Sequence, residues 1–482
     1  MRSDTIAAIS TAVSEGGIGI IRVSGPDAFR VADRIFVPGK AKTDSGKMHT
    51  GGADSENNAG FLSRCASHTI HYGSIVQDGT LIDEVLVSVM RAPRTYTAED
   101  TVEINCHGGI CAMQQVLKAV LASGARSAEP GEFTKRAFLN GRIDLSRAEA
   151  VMDVIQSKNR YALLNSVKQV KGALFEKIEA ARKTILTWMA EIEAALDDPE
   201  HISLDGFTER IYPELEQQIR ELSAMADSFQ EGRLLQEGIR TVIVGKPNAG
   251  KSSLLNLLVG EERAIVTDIE GTTRDVLQET INLDGITLHM VDTAGIRESD
   301  DRIEQIGVEK ARQQVENADL VLYVADASRP FAKEDEEILK MISGKRVIIL
   351  LNKTDLPSRT DRETLEESAG MSLPVKETPV IEFSVKTKAG YQQLKDTIQD
   401  FFFTGKLSYQ NELMVTNERQ AEAVREAVEA LGEVRTGIMS ALPEDFLSID
   451  MRTACEALGR ITGESVSENL VEEIFSKFCM GK

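Results

Sequence analysis

An eight-residue segment near the middle of the chain, Gly245–Ser252 (GKPNAGKS), matches the phosphate-binding pattern G-x-x-x-x-G-K-[ST]. The apolar run TVIVG precedes it and the segment SSLLNLLVG follows it, so it lies between a predicted strand and a predicted helix. Glycines in such a loop let backbone N–H groups approach phosphate oxygens, and the helix N-terminus favours an anion. The segment therefore predicts an α/β domain that binds a nucleotide.

The side chains of this segment have distinct expected roles. Lys251 is expected to contact the β- and γ-phosphates and to assist catalysis, and the Ser252 hydroxyl to ligate Mg²⁺. Asn248 carries an amide oxygen that can bind a monovalent cation beside the phosphates. The nucleotide contacts predicted here are Asn248, Ala249, Gly250, Lys251, Ser252 and Ser253.

Two further motifs predict contacts around the γ-phosphate. The segment DTAG ends the run LHMV, where the Asp292 carboxylate can reach the Mg²⁺ shell and the Gly295 amide can face the γ-phosphate. A threonine-containing segment between the phosphate loop and Asp292 has the position of a switch that supplies a second Mg²⁺ ligand, Thr273. The predicted contacts are Thr267, Asp268, Ile269, Glu270, Gly271, Thr272, Thr273, Asp292, Thr293, Ala294 and Gly295.

Two segments that follow later strands predict which base the nucleotide carries. Asn352, Lys353 and Asp355 form the pattern N-K-x-D after the run VIILL. A carboxylate at Asp355 can accept hydrogen bonds from both N1–H and the exocyclic amine of guanine, a donor pair that adenine lacks. Ser384 and Lys386, after the last predicted strand, are expected to cover the O6 side of the base. The five motifs in this order predict GTP binding.

The residue after Gly295 is informative about hydrolysis. Ras-like GTPases use a glutamine at this place to orient water, and the chain has Ile296, which cannot do so. Another charge or water-orienting group is therefore expected. The candidates from chemistry are Asn248, through a bound cation, and Glu304, through water. Arg274 and Arg297 are alternatives that could supply the charge of an arginine finger.

Charge and composition exclude several other classes of protein. The 482 residues carry a net charge of −21, which excludes a uniformly basic nucleic-acid-binding surface but leaves room for a local one, for example near Lys135, Arg136, Arg142 and Arg147. We find no apolar run of the ~20 residues that a membrane helix needs. Five scattered cysteines argue against a disulfide framework. We expect a cytoplasmic protein without a membrane segment.

Changes in residue composition and apolar patterning along the sequence predict several domains. A mixed α/β region occupies residues 1–140, a helical region 141–235, an α/β region 236–404 and a second helical region 405–482. Ser146–Asp198 is expected to form one amphipathic helix or a broken pair, and about Tyr212–Leu235 a further helix. Each helical region is too small for a good core, so the two are expected to pack together with the α/β domain inserted between them. The polar stretch Ala41–Gly60 is predicted to be a loop.

Several long segments closely resemble the MnmE (TrmE) family of tRNA modification GTPases, and the resemblance covers essentially the whole chain. They are PGEFTKRAFLNGRIDL (Pro130–Leu145), GKPNAGKSSLLN, IVTDIEGTTRD, DTAGIRES and the C-terminal FCMGK. The resemblance implies a multidomain α/β plus α fold: an N-terminal α/β folate-binding domain, a discontinuous helical domain and an inserted Ras-like P-loop G domain. Met480 and Val385 are mild departures from the family's usual residues.

The resemblance also implies ligands for particular residues. Asn248, Thr267, Ile269 and Thr272 match the K⁺ site of the family, and Glu304 matches its catalytic glutamate. Arg22, Glu103, Arg142 and Lys482 match positions that contact a tetrahydrofolate derivative, either 5-formyl- or 5,10-methylene-tetrahydrofolate. Cys479 is a candidate for chemistry.

The implied partners follow the same resemblance. They are a second copy of the chain, tRNA, and the flavoprotein MnmG (GidA), which is expected to carry FAD. The G domains of the two copies are expected to pair when GTP binds. The implied product is tRNA modified at C5 of the wobble uridine.

Two other functions fit the nucleotide motifs and remain open from the residues alone. A GTP-timed ribosome-assembly factor is expected to carry a basic RNA-binding appendage, and we see none. A self-contained one-carbon transferase with a regulatory G domain is disfavoured because a flavin-binding G-x-G-x-x-G segment is absent.

Overall fold

The computed structural model describes residues 4–39, 60–262, 279–291, 312–363, 365, 378–403 and 413–481. The chain divides into two compact units. We call them the N-terminal unit, which comprises Met1–Met152, Phe175–Arg182 and Leu458–Lys482, and the P-loop unit, which comprises Asp153–Leu174 and Lys183–Ala457. The predicted loop Ala41–Gly60 lies almost wholly outside the described residues.

A seven-stranded sheet forms the centre of the N-terminal unit. Its strand order is β3-β4-β5-β6-β2-β1-β7, and every pair is antiparallel except β1 with β7. The strands are β1 Ile6–Ile9, β2 Ile18–Ser24, β3 Phe36–Pro38, β4 Thr69–Gln77, β5 Thr80–Met90, β6 Thr101–His107 and β7 Arg126–Ser127. Three segments with the apolar content that is typical of strands, IGIIRVSG, LIDEVLVSVM and TVEINCHGG, form β2, β5 and β6.

Alternation along the strands decides which face of this sheet is covered. In β6, Val102, Ile104 and Cys106 are buried, whereas Glu103 is half-buried on the opposite face. The buried side chains share one core with residues from helices Ala28–Asp33, Phe61–Arg64 and Ile110–Ala122. The other face carries polar groups and exposed apolar side chains.

The C-terminal end of the chain packs in the N-terminal unit. Helix Glu468–Ser476 contacts helix Glu132–Leu139, and Phe475 and Phe478 share a core with Leu145 of helix Leu145–Gln156. Gly481 closes this end against β1: a Cβ on Gly481 would lie 2.2 Å from the Ile9 carbonyl oxygen. The first and last parts of the sequence are therefore joined in one folded unit.

A six-stranded sheet forms the centre of the P-loop unit. Its order is β13-β12-β11-β8-β10-β9, and all pairs are parallel except β9 with β10. The strands are β8 Ile239–Val244, β9 Glu279–Leu283, β10 Ile286–Met290, β11 Leu320–Asp326, β12 Val347–Asn352 and β13 Val380–Glu382. The expected mainly parallel sheet is confirmed, and the buried patterns of β11 and β12 agree with strands covered on both faces.

Along the chain, helices of the P-loop unit come before, between and after the strands of this sheet. They are Arg160–Val170, Phe207–Asp227, Phe229–Glu237, Lys251–Glu262, Lys333–Met341, Tyr391–Phe402 and Glu418–Met439. Two further helices, Ala173–Asp197 and Glu444–Thr462, contribute residues to both units. Helix Phe207–Asp227 packs on helix Glu418–Met439, so the expected packing of the two helical regions is confirmed for these helices.

The helical segment expected over Ser146–Asp198 is broken into three helices rather than one or two. Asn159 begins the second, because its side chain accepts a hydrogen bond from the Ala162 amide. Gly172, with φ of 99°, separates the second from the third. The helix expected near Tyr212–Leu235 starts earlier, at Phe207, and is interrupted at Ser228.

An ion-pair network joins the first described residues to helix Glu132–Leu139. Arg126 pairs with Asp4 at 2.7 Å and with Glu132 at 2.6 Å, and Arg136 pairs with Asp4 at 2.7 Å. Hydrogen bonds from Arg126, and more weakly from Arg136, lower the pKa of Asp4 to about 2 although burial opposes them. The Arg136 side chain is only 9% exposed. Arg136, one of the basic residues around which a local basic surface was considered, therefore uses its guanidinium inside the unit and adds no exposed charge to such a surface.

None of the helices in the described part of the chain has the length and apolar character that a membrane span needs. The five cysteines all lie in the described part of the chain, and none of them forms a disulfide there. Within the same described residues, no cluster of three or more His, Cys, Asp or Glu side chains has a metal-binding arrangement.

The lowered pKa of Asp4 gives a pH prediction. The folded-state value lies below that of an unfolded aspartate, so the stabilisation is complete above about pH 4 and is lost as the pH falls towards 2. Asp4→Asn should lower the stability of the N-terminal unit at pH 7 by about 1 kcal/mol, after allowance for the exposed third of the side chain. In scanning calorimetry the transition should fall by roughly 2–4 °C.

The matched control for this prediction is Asp27→Asn, which removes an exposed carboxylate paired with Arg30 in the same unit. It should leave the transition within about 1 °C of the wild-type value, since exposed pairs contribute little. Equal effects of the two substitutions, or an Asp4→Asn effect that persists at pH 2, would contradict the assignment.

Candidate functional site: a nucleotide pocket and a second polar pocket

The phosphate loop lies between strand β8 and helix Lys251–Glu262, as the sequence predicts. Two glycines allow its close packing. A Cβ on Gly245 would lie 2.3 Å from the Val324 carbonyl oxygen, and one on Gly250 would lie 2.2 Å from the Asn352 amide nitrogen. Asn248 has φ of 62°, a left-handed conformation that asparagine tolerates better than most residues.

Lys251 holds the loop in its present shape. Its ammonium donates to the carbonyl oxygens of Gly245 at 2.7 Å and of Lys246 at 2.9 Å. Burial lowers the pKa of Lys251, because a desolvated ammonium is less stable when charged. Phosphate oxygens next to this group would supply the missing counter-charge. Ser252 and Ser253 lie exposed on the first turn of the helix, where a hydroxyl is suited to a Mg²⁺ ligand.

Asn352 joins the phosphate loop to the base-recognition segments. Its buried side chain donates to the Ala249 carbonyl at 2.8 Å and accepts from the Val385 amide at 3.2 Å. One amide group therefore brings together segments that are about 100 and about 30 residues away in the sequence. The sequence predicts that Asn352 contacts the nucleotide, and the structure gives it this organising contact as well.

Lys353 is held by two oxygens. Its ammonium donates to the Asn248 carbonyl at 2.8 Å and to the Asp326 carboxylate at 2.7 Å. Burial alone would raise the pKa of Asp326, but hydrogen bonds from Lys353 and Ser328 outweigh it and lower the pKa. Asp326 was not identified from the sequence, although an acid at the end of the buried run LVLYVAD was a usable signal.

The residues predicted to recognise guanine meet at the carboxyl end of strands β12 and β13. Asp355 is exposed, and its carboxylate accepts a hydrogen bond from the Ser384 hydroxyl at 2.8 Å. Ser384 itself accepts from the Thr387 amide at 3.2 Å, which fixes the turn that carries Lys386. Lys386 is exposed on this turn.

Several predicted contacts lie outside the described residues. They are the switch positions Thr267, Asp268, Ile269, Glu270, Gly271, Thr272 and Thr273, the segment Asp292, Thr293, Ala294 and Gly295, the candidate Glu304, and Lys482. The structure thus brings together Asn248, Ala249, Gly250, Lys251, Asn352, Lys353, Asp355 and Ser384, with Ser252, Ser253 and Lys386 beside them.

A second polar pocket lies on the face of the N-terminal sheet opposite its main core. Arg22 on β2 donates to the Glu103 carboxylate on β6 at 2.9 Å, and it donates to the Gly481 carbonyl at 3.3 Å. Arg142 donates to the Tyr96 carbonyl at 2.9 Å. The guanidinium carbons of Arg22 and Arg142 lie 5.4 and 5.1 Å from the Tyr96 ring centre.

This arrangement gathers three of the four residues predicted to contact folate, and it places Gly481 beside them. Tyr96 was not identified from the sequence, since nothing in its local pattern marks it. The end of the chain reaches this pocket within a single chain, and Ser10 fixes it by a 3.0 Å hydrogen bond to the Gly481 carbonyl. Cys479 is exposed, and its carbonyl accepts from the Gly131 amide at 3.4 Å.

Comparison with known proteins covers the whole chain. Residues 5–142 match the family model described as GTP-binding protein TrmE N-terminus, and residues 145–479 match the model described as MnmE helical domain. The chain is 50% identical over 482 residues to a tRNA modification GTPase MnmE of Lachnoclostridium phytofermentans, with 100% of both chains covered. It is 45% identical to the protein of that name from Geobacillus thermodenitrificans, with 99% of both covered.

A solved structure of Aquifex aeolicus Era bound to GDP·AlF4⁻ is 30% identical over 40% of this chain and 66% of that chain, with a TM-score of 0.27. Such a score supports no argument about this chain.

Asp355→Asn tests the base pocket. The amide can no longer accept from both guanine N–H groups, so GTP affinity should fall roughly 10²-fold, the cost of two charge-assisted hydrogen bonds. Xanthosine triphosphate should bind more tightly than GTP, because its base accepts where guanine donates. Titration with fluorescent analogues of both nucleotides measures the two affinities. Unchanged GTP affinity would refute the role of Asp355, and Asp361→Asn serves as an exposed-carboxylate control in the same unit.

Proposed function

Because the chain belongs to the MnmE (TrmE) family of tRNA modification GTPases, we propose that it is a K⁺-stimulated GTP hydrolase that modifies C5 of the wobble uridine of certain tRNAs together with the flavoprotein MnmG (GidA). The observation that carries the proposal is the meeting of phosphate-loop and base-recognition segments at Asn352, in a chain that matches such relatives over its full length. A tetrahydrofolate derivative supplies the carbon, and FAD is carried by the partner.

The nucleotide pocket suits GTP with Mg²⁺. Lys251 and the N-terminus of helix Lys251–Glu262 meet the phosphates, and Asp355 meets the base. Ser252 and Thr273 would hold Mg²⁺, which neutralises charge on the phosphate oxygens when bound. Hydroxyl oxygens are the hard ligands that this ion prefers, and the exposed position of Ser252 leaves room for it. Contacts from the switch segment and from Asp292–Gly295 complete this pocket in our proposal.

We propose that hydrolysis depends on a second cation and on pairing of two G domains. Ile296 cannot orient water, so Glu304 takes that part. Asn248, with Thr267, Ile269 and Thr272, would hold K⁺, whose charge offsets the charge that develops at the β–γ bridge. The fit rests on Asn248: its carbonyl is engaged by Lys353, whereas its exposed side chain leaves an amide oxygen for a cation.

We propose that the polar pocket of the N-terminal unit binds the tetrahydrofolate derivative. The pterin carries an N–H pair that suits the Glu103 carboxylate, and the glutamyl tail suits Arg22, Arg142 and Lys482. The ring of Tyr96 already lies beside both arginines and offers a flat apolar surface to an aromatic ligand. Cys479 remains a candidate for chemistry at the rim of this pocket.

The face of the N-terminal sheet opposite its main core supports a homodimer. Ile70, Tyr72 and Leu86 are 66%, 58% and 47% exposed on it, and Tyr72 faces Leu86 across β4 and β5. Leu86 pairs with Asn105, two residues from Glu103 on β6, so this apolar strip adjoins the proposed folate pocket. Contiguous apolar side chains on a sheet face are typical of an interface. We propose that the complex acts in the cytoplasm, a reducing compartment that suits described cysteines without disulfides.

Hydrolysis should require K⁺. Turnover should be at least ~10-fold faster in K⁺ than in Na⁺, since Na⁺ is too small for a site built for K⁺. Asn248→Gly should abolish the difference, because it removes the amide oxygen while glycine keeps the left-handed backbone without strain. Steady-state phosphate release in matched chloride salts measures this. GTP affinity of the variant, measured separately, should stay within ~3-fold; equal turnover in both salts for the wild type would sink the K⁺ site.

Removal of Cys479–Lys482 should weaken folate binding by at least ~10-fold. The deletion removes Gly481, which contacts Arg22, and it also removes the charge of Lys482. GTP affinity should be unchanged, since the nucleotide motifs lie in the other unit. Calorimetric titration with 5-formyltetrahydrofolate and with a non-hydrolysable GTP analogue separates the two effects. Arg142→Ala is the point-variant counterpart and Arg30→Ala its exposed control. Normal folate affinity after truncation would assign the tail to another role.

The proposed function as a whole is tested by complementation. A strain that lacks the gene should lose the C5-modified wobble uridine in nucleoside analysis of its tRNA, and the wild-type gene should restore it. Asp355→Asn should fail to restore the nucleoside, whereas Asp361→Asn should restore it. A full set of modified nucleosides in the deletion strain would overturn the proposal.

A further inference from the structure

A basic strip stands out in this acidic chain. Residues 154–175 contain four basic residues, Lys158, Arg160, Lys168 and Lys171, and no aspartate or glutamate, in a protein whose net charge is −21. The strip coincides with helix Arg160–Val170 of the P-loop unit and its two flanks. Neither the nucleotide pocket nor the folate pocket uses these residues.

The helix presents most of these charges on one face. Arg160, Leu164, Lys168 and Lys171 follow at steps of four, four and three residues, which places them within about 80° around the helix axis. Arg160 and Lys171 are exposed and Lys168 is half-buried, while Leu163 and Leu164 are each 42% exposed between them. At about 1.5 Å per residue the strip is roughly 16 Å long, enough to contact several phosphates.

The opposite face is held by neutral groups. Asn165 pairs with the Met414 backbone, donating at 3.0 Å and accepting at 3.1 Å, and Gln169 donates to the same carbonyl at 2.9 Å. Asn159 ties the start of the helix to Leu235 and Thr287 at 2.9 and 3.1 Å. The helix is thus fixed without its charges, and within the described part of the chain no carboxylate pairs with Arg160, Lys168 or Lys171.

We propose that this face, which we call the basic helix face and define as Arg160, Leu163, Leu164, Lys168 and Lys171, binds the phosphate backbone of tRNA. The inference rests on the proposed function for the identity of the RNA. Charge complementarity favours a polyanion. The face offers three cationic side chains and has no aspartate or glutamate to repel phosphates, whereas the rest of the chain is strongly acidic. Phosphate contacts position an RNA without reading its sequence, so the face would hold different tRNAs alike.

The test uses the full-length protein and fluorescently labelled tRNA over a series of salt concentrations. The triple variant Arg160→Gln, Lys168→Gln, Lys171→Gln should bind tRNA roughly 10–100-fold more weakly at low salt, and its slope of log K against log salt should be smaller by about 2–3. GTP affinity should be unchanged in this variant. That readout shows that the unit is folded.

The matched control removes the same number of positive charges from other positions of the same unit. It is the triple variant Arg220→Gln, Lys333→Gln, Lys340→Gln, whose three residues are all exposed. It should bind tRNA within ~2-fold of wild type, since non-specific loss of net charge then contributes little. Equal weakening by both triple variants would reduce the effect to net charge and overturn the inference. So would wild-type tRNA affinity in the first variant.

Two further outcomes separate this inference from its neighbours. If Leu163→Ser with Leu164→Ser abolishes binding of the flavoprotein while the charge variant binds tRNA normally, the face is a protein-docking surface and the inference is wrong. If wild-type protein binds no tRNA, alone or with the flavoprotein, the proposed function loses its substrate as well. Normal tRNA binding by wild type with an unaffected charge variant leaves the proposed function intact and removes only this inference.

Discussion

The side-chain amide of Asn352 is the contact on which the nucleotide pocket depends. It stands at the end of strand β12, fully enclosed, and supplies a donor to the phosphate loop and an acceptor to the turn after β13. Loss of either bond would leave a buried polar atom without a partner, which costs about 1–3 kcal/mol. The amide also explains why Gly250 has no side chain, since a Cβ there would occupy the position of the amide nitrogen. Phosphate binding and base recognition are coupled through this one group.

Lysines complete the same framework from both sides. Lys251 and Lys353 each donate to backbone carbonyls of the phosphate loop, and Lys246 of that loop forms an ion pair with buried Asp335. Asp335 is also held by the Tyr323 hydroxyl at 2.8 Å, and burial next to this carboxylate raises the pKa of Tyr323. These contacts fix the loop backbone before any nucleotide arrives, so less conformational entropy is lost on binding.

In the N-terminal unit, charge performs two separate tasks. In the Asp4–Arg126–Glu132–Arg136 network, both guanidinium groups form ion pairs with carboxylates inside the unit. These pairs join the first described residues to helix Glu132–Leu139. Arg22 and Arg142, by contrast, lie beside Tyr96 with only part of their hydrogen-bonding capacity used by the protein. The first group therefore stabilises the fold, and the second is available to an anionic or polar ligand. Identical residue types in one short motif, such as Arg136 and Arg142, thus have different functions.

Local chemistry determined what the sequence alone could predict. The phosphate loop and the segment with Asp355, which is predicted to contact guanine, are short segments whose backbone and side chains act together. Their local pattern and their order along the chain are therefore enough to predict a function. Buried strands β8, β11 and β12 were predictable because continuous apolar runs leave few alternatives. The predicted folate contacts of Arg22, Glu103 and Arg142, which no local pattern marks, came from the long resemblance to one family.

Only the tertiary structure decided which distant residues meet. It assigned the end of the chain, with Gly481, to the N-terminal unit, placed Tyr96 beside two arginines, buried Arg136 and brought Asp326 to Lys353. Each of these depends on packing between segments far apart in sequence, where burial and a partner's charge set a side chain's role and residue type alone does not. The break at Asn159 has a local cause, the hydrogen bond that its side chain accepts from the Ala162 amide. The bonds of the same side chain to Leu235 and Thr287, which hold the start of the basic helix face, are contained in no local pattern.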